Sequence, residues 1–568
     1  MLSPYHSLVE PILKRLQTEP DRIAMVLIED DNTERAITIR QLHLHAAVFA
    51  EALTQAGVKQ DDVVMIALHH SLALVAAFWG AQYIGATASI ATYHIPRPEP
   101  DILAQQMDEL LTHSGARAVI TDKPIAEVIA QVTARHNSSL IDSDDLLGED
   151  IPEEAPLPQN FTSDDHIAYL QYTSGTTGAQ KGVMLSHRAI LTFVASIPLG
   201  IFTTQDDVVI NWMPLFHDAG LFFGMVAPLI EGYLTVMMSP FKWVRRPRMM
   251  FQAVDQYKAT IILMPNSGFN HCVNILRDRD MEGLDLSSLR LMGSASEPII
   301  HESMQTFLET FRPYGLRENT LWTAYGMAEH TLGITSSPTG VRPPIDYVDG
   351  KALLEDNYAH PVPPDHPTAK TFVSSGVPIT DVDLKIVDDQ GGECPERRVG
   401  EIIVRSEMVF SGYYRQPELT AQTLRDGWLY TGDMGYVVDG HLYVCGRKKN
   451  MIIVGGRNIY PEDLEAIANT VEGIYPDRAV AFGVEDPLTG TEKIVMICDL
   501  RRNVEEDEKQ QIAQELRQKV LHQLGVAIGE VHLMKRGWVV KTVNGKISRK
   551  DNRLKYEELL RAGQVSGS

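Results

Sequence analysis

The sequence predicts an α/β protein. It reads as a large N-terminal domain of two layered α/β subdomains plus a small β-rich subdomain, followed by a separate α+β C-terminal domain. Three observations predict this. Strand-like and helix-like segments alternate through most of the chain, the pattern of buried, largely parallel strands covered by helices. Strand-like pieces then follow one another quickly from residue 381. A basic run, GRKKN (446–450), precedes a compact module with its own strands and helices. At roughly 100–200 residues per domain, 568 residues suggest two to four units.

In chain order, DVVMIALH (62–69) reads as a strand and ALVAAFWGAQYIG (73–85) as the helix after it. ARAVITD (116–122) and PIAEVIAQVTARH (124–136) repeat the pairing. VVINWMP (208–214) and TVMMSP (235–240) are strands around an apolar helix, and ATIILMP (259–265) and LRLMGSA (289–295) continue the alternation. The stretch 341–371 breaks it: rich in proline and polar residues, with little periodicity, it reads as a long surface excursion. DVDLKIVDD (381–389), GEIIVRS (400–406) and HLYVCG (441–446) form the β-rich piece. Residues 448–568 form the last unit, with helices PEDLEAIANTV and EDEKQQIAQELRQKVLHQLG around strands AVAFGV and KIVMICDL. The boundaries expected are 1–447 and 448–568.

Lys+Arg total 51 against 74 Asp+Glu, a formal net charge of −23. That argues against nucleic-acid or anionic-membrane binding. Four cysteines, Cys272, Cys394, Cys445 and Cys498, show neither CxxC nor Cys/His ligand spacing, which fits a reducing cytoplasm. The amphipathic start, MLSPYHSLVEPILKRLQ, lacks the apolar core of a signal peptide. The longest apolar stretch, 71–90, is interrupted by Gly80, Gln82 and Gly85 and reads as a buried helix and strand, without integral membrane association.

The strongest local signal is YTSGTTGAQKGVMLSHRAI (172–190), a loop between a strand (HIAYLQY) and a helix (HRAILTFVASI). Thr173, Ser174, Gly175, Thr176, Thr177, Gly178 and Lys181 suit phosphate oxygens. The glycines let N–H groups converge, hydroxyls add donors and lysine adds charge. The spacing is not that of a P-loop. Four further strings accompany it: YGMAEHT (325–331), YTGDMG (430–435), GRKKNMIIVGGRNIYPEDLE (446–465) and NGKISRK (544–550).

Together these resemble, in order and spacing, the motifs of the adenylate-forming superfamily of acyl-CoA synthetases, nonribosomal adenylation domains and luciferases. The resemblance spans the chain end to end. It implies use of ATP and Mg²⁺ to convert a carboxylic acid to an acyl-adenylate. The Thr/Ser/Gly loop would hold the leaving phosphates, and Glu329 would bind Mg²⁺ with Thr331 nearby. Tyr325, within Tyr325–Gly326–Met327, would stack on adenine, with further contacts from Ser296, Glu297 and Pro298. Asp433 and Arg447 would take the ribose. Lys546 would sit between the acyl carboxylate and the ribose–phosphate oxygens as a point charge. His217, in NWMPLFHDAGLFFG, would lie near the carboxylate and phosphates. A pocket lined by residues such as Trp212, Phe222 and Phe223 would be apolar, although aromatic stripes of this kind are more often core than pocket wall.

The resemblance also implies that the C-terminal domain is mobile. Lys449 matches the hinge about which it rotates after the first reaction. Rotation would withdraw Lys546 and bring Gly455 and Gly456 toward the site, where small residues admit a pantetheine arm.

Within the superfamily, WMPLFHDAGLFFG, MSPFKWVRRP, GRNIYPEDLE and the 341–371 excursion resemble fatty acyl-AMP ligases. In that branch an insertion at the place of 341–371 restrains the C-terminal domain, and the acyl group passes to the phosphopantetheine of an acyl carrier protein. Val540, Met327 and His330 depart from the commonest strings and leave acyl preference open. The alternatives are an acyl-CoA synthetase and an amide synthetase that captures the adenylate with an amine.

Overall fold

The computed structural model describes residues 3–29, 31–91, 99–147, 152–158, 163–173, 181–454, 457–486, 491–541 and 546–561. The alternation predicted above is realised as two large sheets. A six-stranded sheet runs Ser139–Asp142, Ala118–Thr121, Val63–Ala67, Thr87–Ile90, Ile167–Thr173, Lys181–Ser186. Its strands are parallel except the last, which returns antiparallel to Ile167–Thr173. The sequence places Lys181 in a loop that leads straight to a helix; in the structure Lys181–Ser186 is a strand.

The second sheet has nine strands. Its parallel centre runs Leu321–Gly326, Leu291–Ser294, Ile261–Met264, Val208–Asn211, Leu234–Met238, Ile23–Ile28. Antiparallel strands flank it: Glu34–Thr38 on one side, Gly333–Ser336 and Val377–Pro378 on the other. The N-terminal segment is tied to this sheet by Arg15, whose Nη1 donates to Leu229 O at 2.7 Å.

One continuous apolar core joins both sheets. Helix Leu72–Tyr83 is apolar all round and is buried on every side, as such a helix must be. Its close packing on helix Ile39–Gln55 depends on Gly80, where a Cβ would stand 2.6 Å from Phe49 Cβ.

The β-rich piece is an antiparallel sheet of Asp383–Val387, Gly400–Arg405, Trp428–Val438, Leu424–Arg425 and His441–Arg447. The last part of the chain folds around the three-stranded sheet of Ile474–Asp486, Thr491–Leu500 and Glu530–Met534. Helices Pro461–Asn469 and Glu506–Leu524 bury Leu464, Ile467, Leu516 and Val520 in a core of their own.

The stretch 341–371 is not the featureless excursion expected. Strands Ile345–Asp349 and Ala369–Val373 pair antiparallel, and helix Gly350–Asp356 lies between them, capped by the Asp349 carboxylate accepting from Lys351 N. Val348, Leu353 and Ala359 are buried. Leu354 belongs to the core of the C-terminal unit. Ion pairs Lys370–Asp463 (2.5 Å) and Arg457–Glu355 (2.8 Å) reinforce the contact. Its elements are short, and four prolines lie between the helix and the second strand, which hides their periodicity. Among the described residues no helix is long and apolar enough to cross a membrane. All four cysteines are free.

Candidate functional site

Parallel strands deliver their C-terminal ends to one edge of a sheet, where loops gather chemistry. Neighbouring strands of the nine-stranded sheet do so here. Val208–Asn211 leads to His217, Ile261–Met264 to Ser267, Leu291–Ser294 to Ser296 and Glu297, and Leu321–Gly326 to Tyr325 and Glu329.

Asp433 and Arg447 arrive from the antiparallel sheet. The hairpin of Trp428–Val438 and His441–Arg447 sets them opposite each other. Arg447 Nε lies 3.0 Å from Asp433 Oδ1, and Tyr325 Oη donates to Oδ2 at 2.7 Å. Asp433 is itself pinned, its N–H donating to Thr431 Oγ1. Burial and the Asp433 charge hold the Tyr325 phenol well above its ordinary pKa, so it stays a donor. Asp433 in turn raises the Arg447 guanidinium. A buried carboxylate beside a phenol and a guanidinium is a suitable acceptor for a vicinal diol.

The Tyr325–Thr331 segment is tightly wound. Met327 N donates to Leu332 O at 2.8 Å, and a Cβ on Gly326 would stand 1.6 Å from Leu332 O, so position 326 accepts no side chain. Thr331 adopts φ +60, rare for a β-branched residue and typical of strain held at functional sites. Its hydroxyl donates to Met408 O at 2.9 Å, so it supports the loop rather than facing phosphate. His330 is fully buried and bridges Gly333 O and Ser406 Oγ. Burial pushes its pKa down to about 4, which keeps it neutral.

This loop aims Glu329 at Tyr413, whose Oη donates to Glu329 Oε1 at 2.7 Å. Lys181 Nζ stands 4.9 Å from the centre of the same ring. Thr173 ends its strand. Its side chain, together with Ser174, Gly175, Thr176, Thr177 and Gly178, lies outside the described residues.

His217 Nδ1 lies 2.7 Å from Asp218 Oδ1 at the start of a π-helix, Ala219–Val226, a geometry common at functional sites. Burial alone would raise the Asp218 carboxyl, but His217, the Ala219 N–H and the charge of Lys546 outweigh it and hold its pKa low. Ser296 takes φ +68, a second strained non-glycine residue beside the site. Glu297 accepts from Ser267 N at 2.7 Å and Ser267 Oγ at 3.2 Å. Pro298 is exposed beyond it.

Lys546, from the C-terminal part, is brought to this cleft. Enclosure by the walls pulls its pKa below lysine's ordinary value, while Glu297, Asp218 and Asp433 pull it up and Arg447 adds to the fall. Its side chain still meets solvent, so it stands in an open cleft. Asn270 Nδ2 donates to Asp477 Oδ2 at 3.1 Å across the same seam. Lys449 lies within the field of the same charges. Enclosure, with repulsion from Arg447 and Lys181, lowers it to about 8 against the pull of Asp433 and Glu329. Gly455 and Gly456 lie outside the described residues.

Beside Tyr325 opens an apolar cavity with about 590 Å³ of space unfilled by protein atoms, part of it open to solvent. Phe193, Ile197, Phe223, Trp322 and Leu332 are among its walls. Of the three aromatics weighed between pocket and core, Phe223 lines the cavity. Trp212 and Phe222 do not: Trp212 stacks on Trp243 at 3.6 Å, and Phe222 meets Tyr169 edge-on in the core. Trp212 precedes the π-helix, and Phe222 is the immediate neighbour of Phe223 within it, so the two phenylalanines leave the helix in different directions. Sequence reasoning also missed Tyr413 and Ser267; each sits in a string (SGYYRQ, PNSGF) that names no chemistry until folded.

The sequence matches the AMP-binding enzyme family over residues 13–414. The chain belongs to the AMP-binding enzyme family. Among its family relatives is the long-chain-fatty-acid–AMP ligase FadD26 of Mycobacterium bovis. It is 30% identical over 566 residues, covering 94% of this chain and 94% of the relative. The medium-chain-fatty-acid–acyl-carrier-protein ligase JamA of Moorena producens is 28% identical, covering 98% of this chain and 95% of the relative. A structure from a study of fatty acyl-adenylate ligases of E. coli and L. pneumophila superposes with TM-score 0.90 at 26% identity, covering 99% of this chain and 100% of the other. The L. pneumophila fatty acyl-adenylate ligase, solved with acyl adenylate and pyrophosphate, superposes at TM-score 0.75 and 27% identity, covering 98% and 96%. This AMP-binding enzyme is thus an acid-activating ligase in fold and family.

Proposed function

We propose that this enzyme activates a fatty acid with ATP and Mg²⁺ to acyl-AMP, releases pyrophosphate, and passes the acyl group to the phosphopantetheine thiol of an acyl carrier protein. The observation that carries the reading is the meeting of the Tyr325–Asp433–Arg447 cluster, the apolar cavity and Lys546 at one cleft. An apolar acyl chain fits the cavity, with its carboxylate toward the cations. The ribose hydroxyls would bond to Asp433, and the aromatic face of Tyr325 would meet adenine.

In the first half-reaction a carboxylate oxygen attacks the α-phosphorus and the bond to the β-phosphate oxygen breaks. Lys546 and Arg447 lower the repulsion between the two anions, and Lys181 stands where it can accept the departing charge. In the second, the thiol sulfur attacks the acyl carbon and AMP leaves. Among the described residues no three His, Cys, Asp or Glu side chains converge on a cation site. A single carboxylate nevertheless suits Mg²⁺, which takes its remaining ligands from phosphates and water, and Glu329 would be that carboxylate. When bound, the cation would neutralise β- and γ-phosphate charge.

Support for a carrier protein as acceptor comes from the likeness to JamA, which is named for one. The segment 341–371 also supports it, because its packing on residues 457–525 fits a restrained C-terminal unit. The proposed functional boundary falls between 447 and 448, with Lys449 as the hinge. Free cysteines suit a reducing cytoplasm.

The test is to incubate the purified protein with ATP, Mg²⁺ and acids of graded length, with and without CoA or a holo carrier protein, and to follow pyrophosphate and products by mass spectrometry. Acyl-AMP that survives CoA but is consumed by the carrier protein is the expected result. Efficient acyl-CoA formation would replace this reading with a CoA ligase. An amine-dependent product without carrier protein would replace it with an amide synthetase.

A further inference from the structure

Tyr413 occupies a place that the phosphate-loop and Glu329 assignments leave unexplained. It comes from neither string, yet it touches both. Its backbone segment is zipped to the strand that begins at Lys181: Ser411 N donates to Met184 O, Met184 N to Gly412 O, and Tyr414 N to Gly182 O. On its other side Phe410 N donates to Glu329 O at 2.9 Å. Tyr413 N is tied to Thr420 Oγ1, and its ring packs edge-on against Phe410. The ring therefore has little freedom. Its hydroxyl meets Glu329 Oε1 at 2.7 Å, and its face carries Lys181 Nζ at 4.9 Å, a cation–π distance.

We propose that Tyr413 is the positioning residue of the metal–nucleotide site: its hydroxyl locks the Glu329 carboxylate through Oε1 and leaves Oε2 for the cation, while its face holds Lys181 for the leaving phosphates. The inference rests on Glu329 as the Mg²⁺ ligand, as read above. A carboxylate that ligates a metal through one oxygen is commonly fixed through the other, and loss of such a partner typically costs about 10–100-fold in metal affinity. One ring thus links the cation end and the lysine end of the triphosphate.

Tyr413→Phe keeps the ring and its cation–π face and removes only the O–H. With the full-length protein and a non-hydrolysable ATP analogue, Mn²⁺ binding is titrated by electron paramagnetic resonance. The expected result is Mn²⁺ affinity weakened about tenfold or more, with unchanged analogue binding in the absence of metal and an unchanged KM for the acid. Tyr413→Leu, which also removes the face, adds a loss of metal-free analogue binding because Lys181 is released. If Glu329→Gln leaves Mn²⁺ affinity unaltered, the Glu329 reading itself falls. If Glu329→Gln weakens it and Tyr413→Phe does not, Glu329 stands and the inference about Tyr413 is overturned. Circular dichroism and thermal unfolding of each variant identify misfolding. Should Tyr413→Phe unfold, Tyr413→Leu decides: Mn²⁺ affinity equal to that of the native protein would overturn the inference.

Discussion

The carboxylate of Asp433 meets the guanidinium of Arg447 at 3.0 Å because a single hairpin register places the two residues opposite each other. One oxygen of Asp433 serves Arg447 and the other serves Tyr325, so a strand of one sheet and a hairpin of another are joined at this end of the cleft.

Asp433→Asn keeps the shape of that junction but removes its charge. A hydrogen bond to a charged group contributes about 1.5–3 kcal/mol, so ATP and AMP affinity should fall by roughly tenfold to a hundredfold. The KM for the acid should change little. Isothermal titration of AMP and pyrophosphate-exchange kinetics measure the two; unchanged AMP affinity would remove Asp433 from the ribose.

Nucleotide binding should take up protons at mildly alkaline pH. Lys449 is lowered to about 8 from 10.5, and Lys546 is lowered as well. Between those limits the unfolded chain binds more protons than the folded one, so these groups make stability rise with pH across that window. A triphosphate beside them favours the charged forms, raises both values and draws in protons. Binding enthalpies at about pH 8.5 in buffers of different ionisation heat should therefore differ, and Lys449→Gln should reduce the difference. Equal enthalpies would place both ammonium groups away from the phosphates.

Leu354→Ala removes a side chain of segment 341–371 that is buried in the C-terminal core. Leucine truncations of this kind cost about 2–5 kcal/mol. The loss should fall on residues 457–525, read as lower hydrogen-exchange protection of helix Glu506–Leu524. If the segment restrains the C-terminal unit, acyl-CoA formation should rise in the same variant. Loosening without CoA use would separate the packing from acceptor choice.

Trp322 sets one wall of the apolar cavity proposed to take the acyl chain. Its Nε1–H donates to Ser336 Oγ at 2.8 Å, Phe223 stacks alongside, and Gly293 leaves it room, since a Cβ there would stand 2.4 Å from Trp322 Cε3. Trp322→Leu should enlarge the cavity and move acid preference toward longer chains, at a stability cost on the order of 2 kcal/mol. Competition among acids of graded length, read by product mass, checks it.

What the sequence disclosed follows from how local the chemistry is. Asp433, Arg447, Glu329 and Lys546 stand in contiguous strings that resemble the family's motifs, and their proposed roles come from that resemblance. The alternating segments gave the parallel strands because burial on both faces leaves continuous apolar runs. Tyr413 stayed hidden because its partner Glu329 is 84 residues away, and only the fold brings them together. Trp212 and Phe222 lie in the core because distant partners take them, Trp243 for one and Tyr169 for the other. The strand and helix within 341–371 bury their apolar residues against distant partners, which no local period records.

The strand Ile23–Ile28 is made early but sits inside the large sheet, against Leu234–Met238. Arg15 likewise waits for a carbonyl 214 residues further along the chain. At roughly 5–20 residues per second of synthesis, this segment emerges on the order of 10–40 s before its neighbour exists. During that interval the strand has only Glu34–Thr38 to pair with, its other edge stays open, and aggregation competes with folding. Newly made chains should therefore need shelter at the ribosome, and a slowly translated or heat-stressed copy is most vulnerable at its first thirty residues, far from the residues that perform the chemistry.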